Sequence, residues 1–129
     1  MIIIGTKDRL YSTVRQLAKT NHYNIHECNF EDKVYFLKIA KSKKENKLRE
    51  KEEFVLETLL EQALKIENEY DAKKGKKGKP LNYQYCFPKV IDSFIAKGQE
   101  NRKILILSFA NIAEKVSDLT PISFITERD

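Results

Sequence analysis

Between Ala40 and Lys74 the chain contains neither glycine nor proline. A run of that length has nothing in it to break a helix. Its apolar positions, Leu48, Val55, Leu56, Leu59, Leu60, Ala63, Leu64 and Ile66, recur at steps that match helical periodicity. One long helix is expected over roughly Lys43 to Asn68. Ser42 is its candidate N-cap, with Glu45 three residues on as in a capping box.

The segments on either side read as strands. Residues 10 to 19 form the first, with an extra strand or cap before them at the N-terminus. Tyr23 to Phe30 form the second, Glu31-Asp32-Lys33 a polar break, and Val34 to Ala40 a β-branched and aromatic third strand. Short connections between consecutive strands imply an antiparallel meander. Downstream, Leu81 to Phe87 and Lys89 to Ile95 make an apolar block around Pro88. Residues 97 to 101 suit a hairpin turn, and Lys103 to Phe109 suit a buried strand. Residues 110 to 120 read as a short helix or linker that Pro121 ends. The order predicts an α+β fold, a five-stranded antiparallel sheet with one long helix packed on it.

At 129 residues the chain has room for one domain, residues 1–129, and no internal repeat is apparent. Its longest apolar stretches, Ile2 to Ile4 and Ile104 to Leu107, fall far short of a membrane span, and the N-terminus lacks a basic flank and a signal-length apolar run. A cytoplasmic protein is expected. Cys28 and Cys86 have no partners at metal-ligand spacing and read as reduced thiols. His22 and His26 make no metal site by themselves. The net charge of +5 concentrates at Lys41 to Lys51 and at Lys73 to Lys79. Residues 72–80, rich in lysine and glycine, are expected to form a mobile loop. Such basic stretches suit nucleic acid, and a basic α+β nucleic-acid-binding or protein-interaction domain is the alternative reading. Base stacking is not supported, because no aromatic residue interleaves these lysines. A self-contained enzyme of unrelated type lacks a Ser/His/Asp, Cys/His or metal constellation.

Two charged residues depart from the apolar pattern. Glu52 lies four residues from both Leu48 and Leu56 and so falls within the apolar stripe of the helix, unlike Glu50, Glu53 and Glu57. A carboxylate directed at a sheet needs a cation or hydrogen bonds to offset its lost hydration. In the strand Val34-Tyr35-Phe36-Leu37-Lys38-Ile39-Ala40, Lys38 shares its face with Phe36 and Ala40 and is a lone charge. Lys38 paired with Glu52 satisfies both; the alternative is a lysine that reaches solvent beside a glutamate at the stripe's edge.

This strand–lysine–helix–glutamate order resembles the N-terminal lobe of protein kinases of the serine/threonine type, in bacterial form. In that family the strand lysine contacts ATP phosphates and pairs with the helical glutamate. The glycine-rich segment of the family aligns with Leu17 to Ile25, and its lysine strand with Tyr35-Phe36-Leu37-Lys38. The resemblance implies a nucleotide site drawn from Leu17, Ile25, Phe36, Lys38, Leu107, Ser108 and Phe109. Leu107 takes the gatekeeper position, and Ser108 to Ala110 begin the hinge. Residues 110–129 become a hinge-like segment leading toward a second lobe.

The departures weaken the nucleotide expectation. The three glycine positions hold Ala18, Thr20 and Tyr23, and Phe36 replaces the small residue over adenine. No H-R-D-type loop and no D-F-G occurs in these residues, so no complete catalytic set is present and phosphoryl transfer is not expected of this chain alone. ATP and magnesium are expected to bind weakly at most, or only to a longer protein, and no cofactor is required. The expected role is that of an N-lobe fragment of a kinase-like or pseudokinase protein in signalling or regulation. Its exposed cleft face would meet a second lobe, a protein partner or another copy of itself.

Overall fold

The structure, a computed structural model, describes residues 1–74 and 87–108. Its strands are β1 (Ile2–Ile4), β2 (Leu10–Lys19), β3 (Tyr23–Phe30), β4 (Lys33–Ala40), β5 (Val90–Ala96) and β6 (Arg102–Leu107), with one long helix, α1 (Asn46–Lys74), between β4 and β5. They form one antiparallel sheet in the order β1-β2-β3-β4-β6-β5. The α+β class and the long helix match expectation; the sheet has six strands rather than five. The added strand is the Ile2-Ile3-Ile4 triplet, which pairs with Leu10 to Ser12 and buries Ile3 on the core side.

The β3–β4 connection is a two-residue turn with Glu31 and Asp32 both at positive φ, the backbone that suits the twist of a tight hairpin. In the β5–β6 hairpin, Glu100 and Asn101 take the positive φ values and Gly98 does not. Strand β2 shows register shifts between Thr13 and Arg15 and between Gln16 and Ala18. Each inserts a residue into one strand of the pair and bends it.

Strand β6, last in sequence, inserts between β4 and β5. Both faces of β4 and β6 are covered, which explains why Ile104-Leu105-Ile106-Leu107 is continuously apolar. One face carries Leu37, Ile39, Ile104 and Ile106, packed with Ile3, Tyr11, Cys28 and Ala96. The other carries Phe36, Leu105 and Leu107, packed with Tyr23, Ile25 and Leu56. Each such fully buried aliphatic or phenyl side chain contributes about 1.5–3 kcal/mol. The Cys28 thiol sits inside the first cluster, and burial pushes its pKa up to about 12.

The sheet curls until its two ends meet. Asp92 on β5 accepts hydrogen bonds from the Tyr11 hydroxyl at 2.8 Å and from the Thr6 amide at 3.1 Å. Arg9 also reaches the Ile91 carbonyl. These contacts join the start of the chain to a strand more than eighty residues away.

Helix α1 lies against β5 and β6 and differs from expectation in length, cap and rotation. It continues beyond Asn68 to Lys74, because no breaker intervenes before Gly75. Residues 72–74 are therefore helical and not part of a loop; residues 75–80, the rest of that expected loop, lie outside the described residues, as do 81–86 and 109–129. Ser42 makes no side-chain cap, and the Glu45 carboxylate binds His22 instead of closing a capping box. The helix begins with a 3₁₀ turn, Lys43–Glu45. Asn46 ties this end to the β5–β6 hairpin, donating to the Asn101 carbonyl and accepting from the Lys103 amide.

The buried face of α1 runs through Arg49, Leu56, Ala63 and Glu67, whereas Leu48, Val55, Leu59, Leu64 and Ile66 stay exposed. The rotation follows from charge. Glu53, expected to face solvent, accepts from the Ser93 hydroxyl at 2.7 Å and pairs with Lys103 at 3.1 Å. With Glu52 and Glu53 both anchored to the sheet, the apolar stripe beside them turns outward.

Candidate functional site

Lys38 stands on β4 in register with Ile25 on β3 and Leu105 on β6. Alternation sends its side chain to the face it shares with Phe36 and Ala40, toward α1. There its Nζ donates to Glu52 Oε2 at 2.5 Å. The lysine side chain is 1% exposed and the glutamate 13%. Charges this deep persist only when paired, because desolvation costs several kcal/mol per ion.

The pair has company that the sequence reading did not include. Arg49, one helical turn before Glu52, is buried at 5% exposure. Its Nε lies 3.4 Å from Glu52 Oε1, within ion-pair distance but outside hydrogen-bond geometry. Tyr23, at the start of β3, completes the cluster. Its ring centroid is 4.0 Å from Lys38 Nζ and 4.3 Å from Arg49 Cζ. Both cations thus use the negative face of one aromatic ring as well as a shared carboxylate. The signal for Arg49 was its spacing: three residues before Glu52 places both on neighbouring parts of the helix surface.

The turn between β2 and β3 is closed on itself. The Thr20 amide and hydroxyl both donate to the Tyr23 carbonyl, at 2.8 and 3.0 Å. The same hydroxyl oxygen accepts from the amides of His22 at 3.2 Å and Tyr23 at 3.0 Å. Lys41 holds the turn from below, its Nζ on the Thr20 carbonyl and its amide on the His22 carbonyl. The His22 ring contacts Glu45 at 3.0 Å. The backbone donors of Thr20, His22 and Tyr23 are therefore already engaged within the turn.

Of the other residues singled out from sequence, Ile25, Phe36 and Leu107 come together in one buried cluster with Tyr23, Leu56 and Leu105. Leu17 lies at the second β2 register shift, is 36% exposed and is not part of that cluster. Ser108 closes the end of β6 against Lys89, exchanging hydrogen bonds at 2.9 and 3.0 Å. Phe109 lies outside the described residues. His26 does not join the cluster; burial, and then the charge of Arg102, lower its pKa. Among the described residues, no group of three or more His, Cys, Asp or Glu side chains is placed to hold a metal ion. Among them also, no helix is long and apolar enough to cross a membrane.

No family model matches this sequence, and the search of curated proteins found no match. Among solved structures, vaccinia related kinase 3 superposes with a TM-score of 0.57 at 14% sequence identity, over 84% of this chain. The match spans 29% of that kinase chain. At this identity the likeness is one of fold, and the α+β arrangement of curled antiparallel sheet and single long helix is kinase-like.

Proposed function

We propose that this chain is a kinase N-lobe-like unit that acts as an interaction module in regulation and does not take up ATP in the family's manner. The observation that carries this reading is Tyr23. It stands at the third glycine position of the aligned loop, with its ring 4.0 Å from the lysine that would meet nucleotide phosphates. Glycine at such a position lets backbone approach phosphate closely; a tyrosine ring fills that space. Two further features support the reading. The turn amides that would face phosphate bond to Thr20 and Tyr23, and Phe36, at 1% exposure, packs with Ile25 and Leu107 where an adenine would need room.

The Lys38–Glu52 pair then serves architecture, fastening α1 to the sheet. The surface offered to a second lobe or protein partner is the outward stripe of α1, in which Leu48, Val55, Leu59 and Ile66 recur at helical spacing and stay exposed. Thermal unfolding with and without ATP and magnesium tests the proposal. No change in Tm at millimolar nucleotide is expected. A nucleotide-dependent rise of several degrees, lost in Lys38→Met, would overturn it.

A further inference from the structure

The apolar residues that α1 turns outward are spaced as a coiled-coil seam. Leu48, Val55, Leu59 and Ile66 follow one another at steps of seven, four and seven residues, and each is more than a third exposed. That is the 3.5-residue repeat with which one helix packs along another. From Leu48 to Ile66 the seam covers about 27 Å of helix. Its two other positions are Glu52, which is turned to Lys38, and Gln62, which is exposed. The two flanks of the seam differ. On one side Leu56 and Ala63 are buried. On the other, Lys51 and Lys65 are exposed, and Lys44, in the preceding 3₁₀ turn, lies seven residues before Lys51. The same repeat places Thr58 and Ala72 on that side, so no carboxylate interrupts it. The exposed acids Glu50, Glu57 and Glu61 lie roughly 140–180° around the helix from the seam. Glu69 stands past the last apolar position.

We propose that this seam docks an acidic amphipathic helix of another protein, one whose apolar stripe repeats in heptads and whose flanking positions carry Glu or Asp. The proposal rests on the reading of the outer stripe of α1 as a partner surface and names the partner's chemistry. Charge complementarity favours this occupant, because the residues that flank a seam decide which helices pair. Lys44, Lys51 and Lys65 attract flanking carboxylates and repel flanking cations. The same lysines count against a second copy of this chain. An antiparallel pair that sets Leu48 against Ile66 and Val55 against Leu59 brings Lys51 beside Lys65 of the other copy, a like-charge contact. A parallel pair directs Lys51 at the flank of Leu56 and Ala63, which the other copy's own domain covers. An anionic lipid surface shares the charge preference but has no use for a seven-residue spacing. Gln62 gives the seam one polar position, a device that fixes register at some cost in stability. A single seam of this length buries less than the roughly 800 Å² per partner of a standard interface, so a reversible complex of micromolar strength is expected.

The test uses the full chain and two designed three-heptad peptides with leucine along the seam and either glutamate or lysine at both flanks, followed by fluorescence anisotropy. Vesicles of phosphatidylserine and phosphatidylcholine in equal parts, and sedimentation of the protein alone, are separate arms. The glutamate peptide is expected to bind at least about tenfold more tightly than the lysine peptide in low salt, with the ratio shrinking as salt rises. Lys51→Glu with Lys65→Glu is expected to reverse the preference, and Val55→Ser with Leu59→Ser to weaken both peptides. All four positions are exposed, so these variants are expected to fold, which circular dichroism checks. Equal affinity for the two peptides, or a preference unchanged by the lysine substitutions, overturns the acidic partner. If the serine variant then still loses both peptides, the stripe stands as a partner surface and only its stated chemistry falls. No binding of either peptide overturns the inference and leaves the reading without nucleotide to its own thermal test. Vesicle binding in place of the glutamate peptide assigns the face to lipid, and a dimer dissolved by the serine variant assigns it to a second copy; either result overturns the proposal.

Discussion

The centroid of the Tyr23 ring lies 4.0 Å from the ammonium of Lys38, so the negative face of a buried ring stabilises the lysine's charge. The ring is 2% exposed and packs with Ile25, Phe36 and Leu107. Tyr23→Leu keeps an apolar side chain but removes the ring's negative face and leaves a small void. A loss of about 2–3 kcal/mol is expected from the two effects together, read from the urea midpoint at constant m-value. A Tyr23→Leu protein as stable as its parent would remove the ring from the groups that hold the lysine.

The Lys38–Glu52 pair makes a sharper prediction, because both partners are largely removed from solvent. Lys38→Met takes the ammonium away from Glu52 Oε2, and Glu52→Gln leaves two buried cations facing an amide. Each single change is expected to cost about 3–5 kcal/mol, as for one partner removed from a buried pair. The double variant is expected to lose less than the sum, with a coupling of about 1–3 kcal/mol. Chemical denaturation of the four proteins measures it. Strict additivity would mean that the two groups do not act on each other.

How much of this was legible in sequence depended on whether the signal was local. Strands β2 and β3 match their expected bounds because alternating apolar residues and polar breaks mark them directly. Lys38 and Glu52 stood out as charges inside apolar patterns. The rotation of α1 was not legible, because Leu48, Val55, Leu59 and Ile66 form as good a stripe as the one that is buried. What decides between the stripes is the anchoring of Glu53 on Ser93 and Lys103, a contact made across forty residues or more. Asp92 is a similar case. It sits as a lone acid in Val90-Ile91-Asp92-Ser93-Phe94-Ile95, the same kind of signal as Lys38, but its partners are Thr6 and Tyr11 at the other end of the chain.

The Tyr11–Asp92 contact ties stability to pH at both extremes. Burial opposes ionisation of Asp92, but hydrogen bonds from Thr6, Tyr11 and the Ser93 amide outweigh it and hold the carboxyl below its ordinary 3.8. The unfolded chain then binds this proton more readily, so the contribution of Asp92 is complete above the ordinary value and is lost as pH falls through the lower folded one. For Tyr11 the sign reverses. Burial, and then the bond to Asp92, push its hydroxyl from 10.0 up to about 12. That contribution is complete below pH 10 and is lost as pH rises through about 12. Urea midpoints measured across both limbs should show Asp92→Asn flattening the acid side and Tyr11→Phe flattening the alkaline side. Acid and alkaline limbs unchanged in these variants would assign the pH dependence to other groups.

Gly5 is where this closure has the least room. A Cβ there would lie 2.6 Å from Asp92 Oδ2, 2.6 Å from Tyr11 Cε2 and 2.9 Å from Phe94 Cε1. The backbone at Gly5 is ordinary, with φ at −99°, so alanine meets no conformational strain and the whole penalty is steric. The three neighbours have little freedom to retreat: Tyr11 and Asp92 are bonded to each other, and the Phe94 ring stacks on Tyr11 with centroids 6.1 Å apart. Gly5→Ala is expected to cost about 1–3 kcal/mol, the usual range for overpacking. It should also speed hydrogen exchange at the Thr6 amide, whose acceptor is Asp92, and shrink the acid limb that Asp92 creates. The three effects should appear together, because one added methyl pushes the start of the chain off β5. Lost stability with the Thr6 amide still protected would mean that the closure holds and the strain is relieved elsewhere.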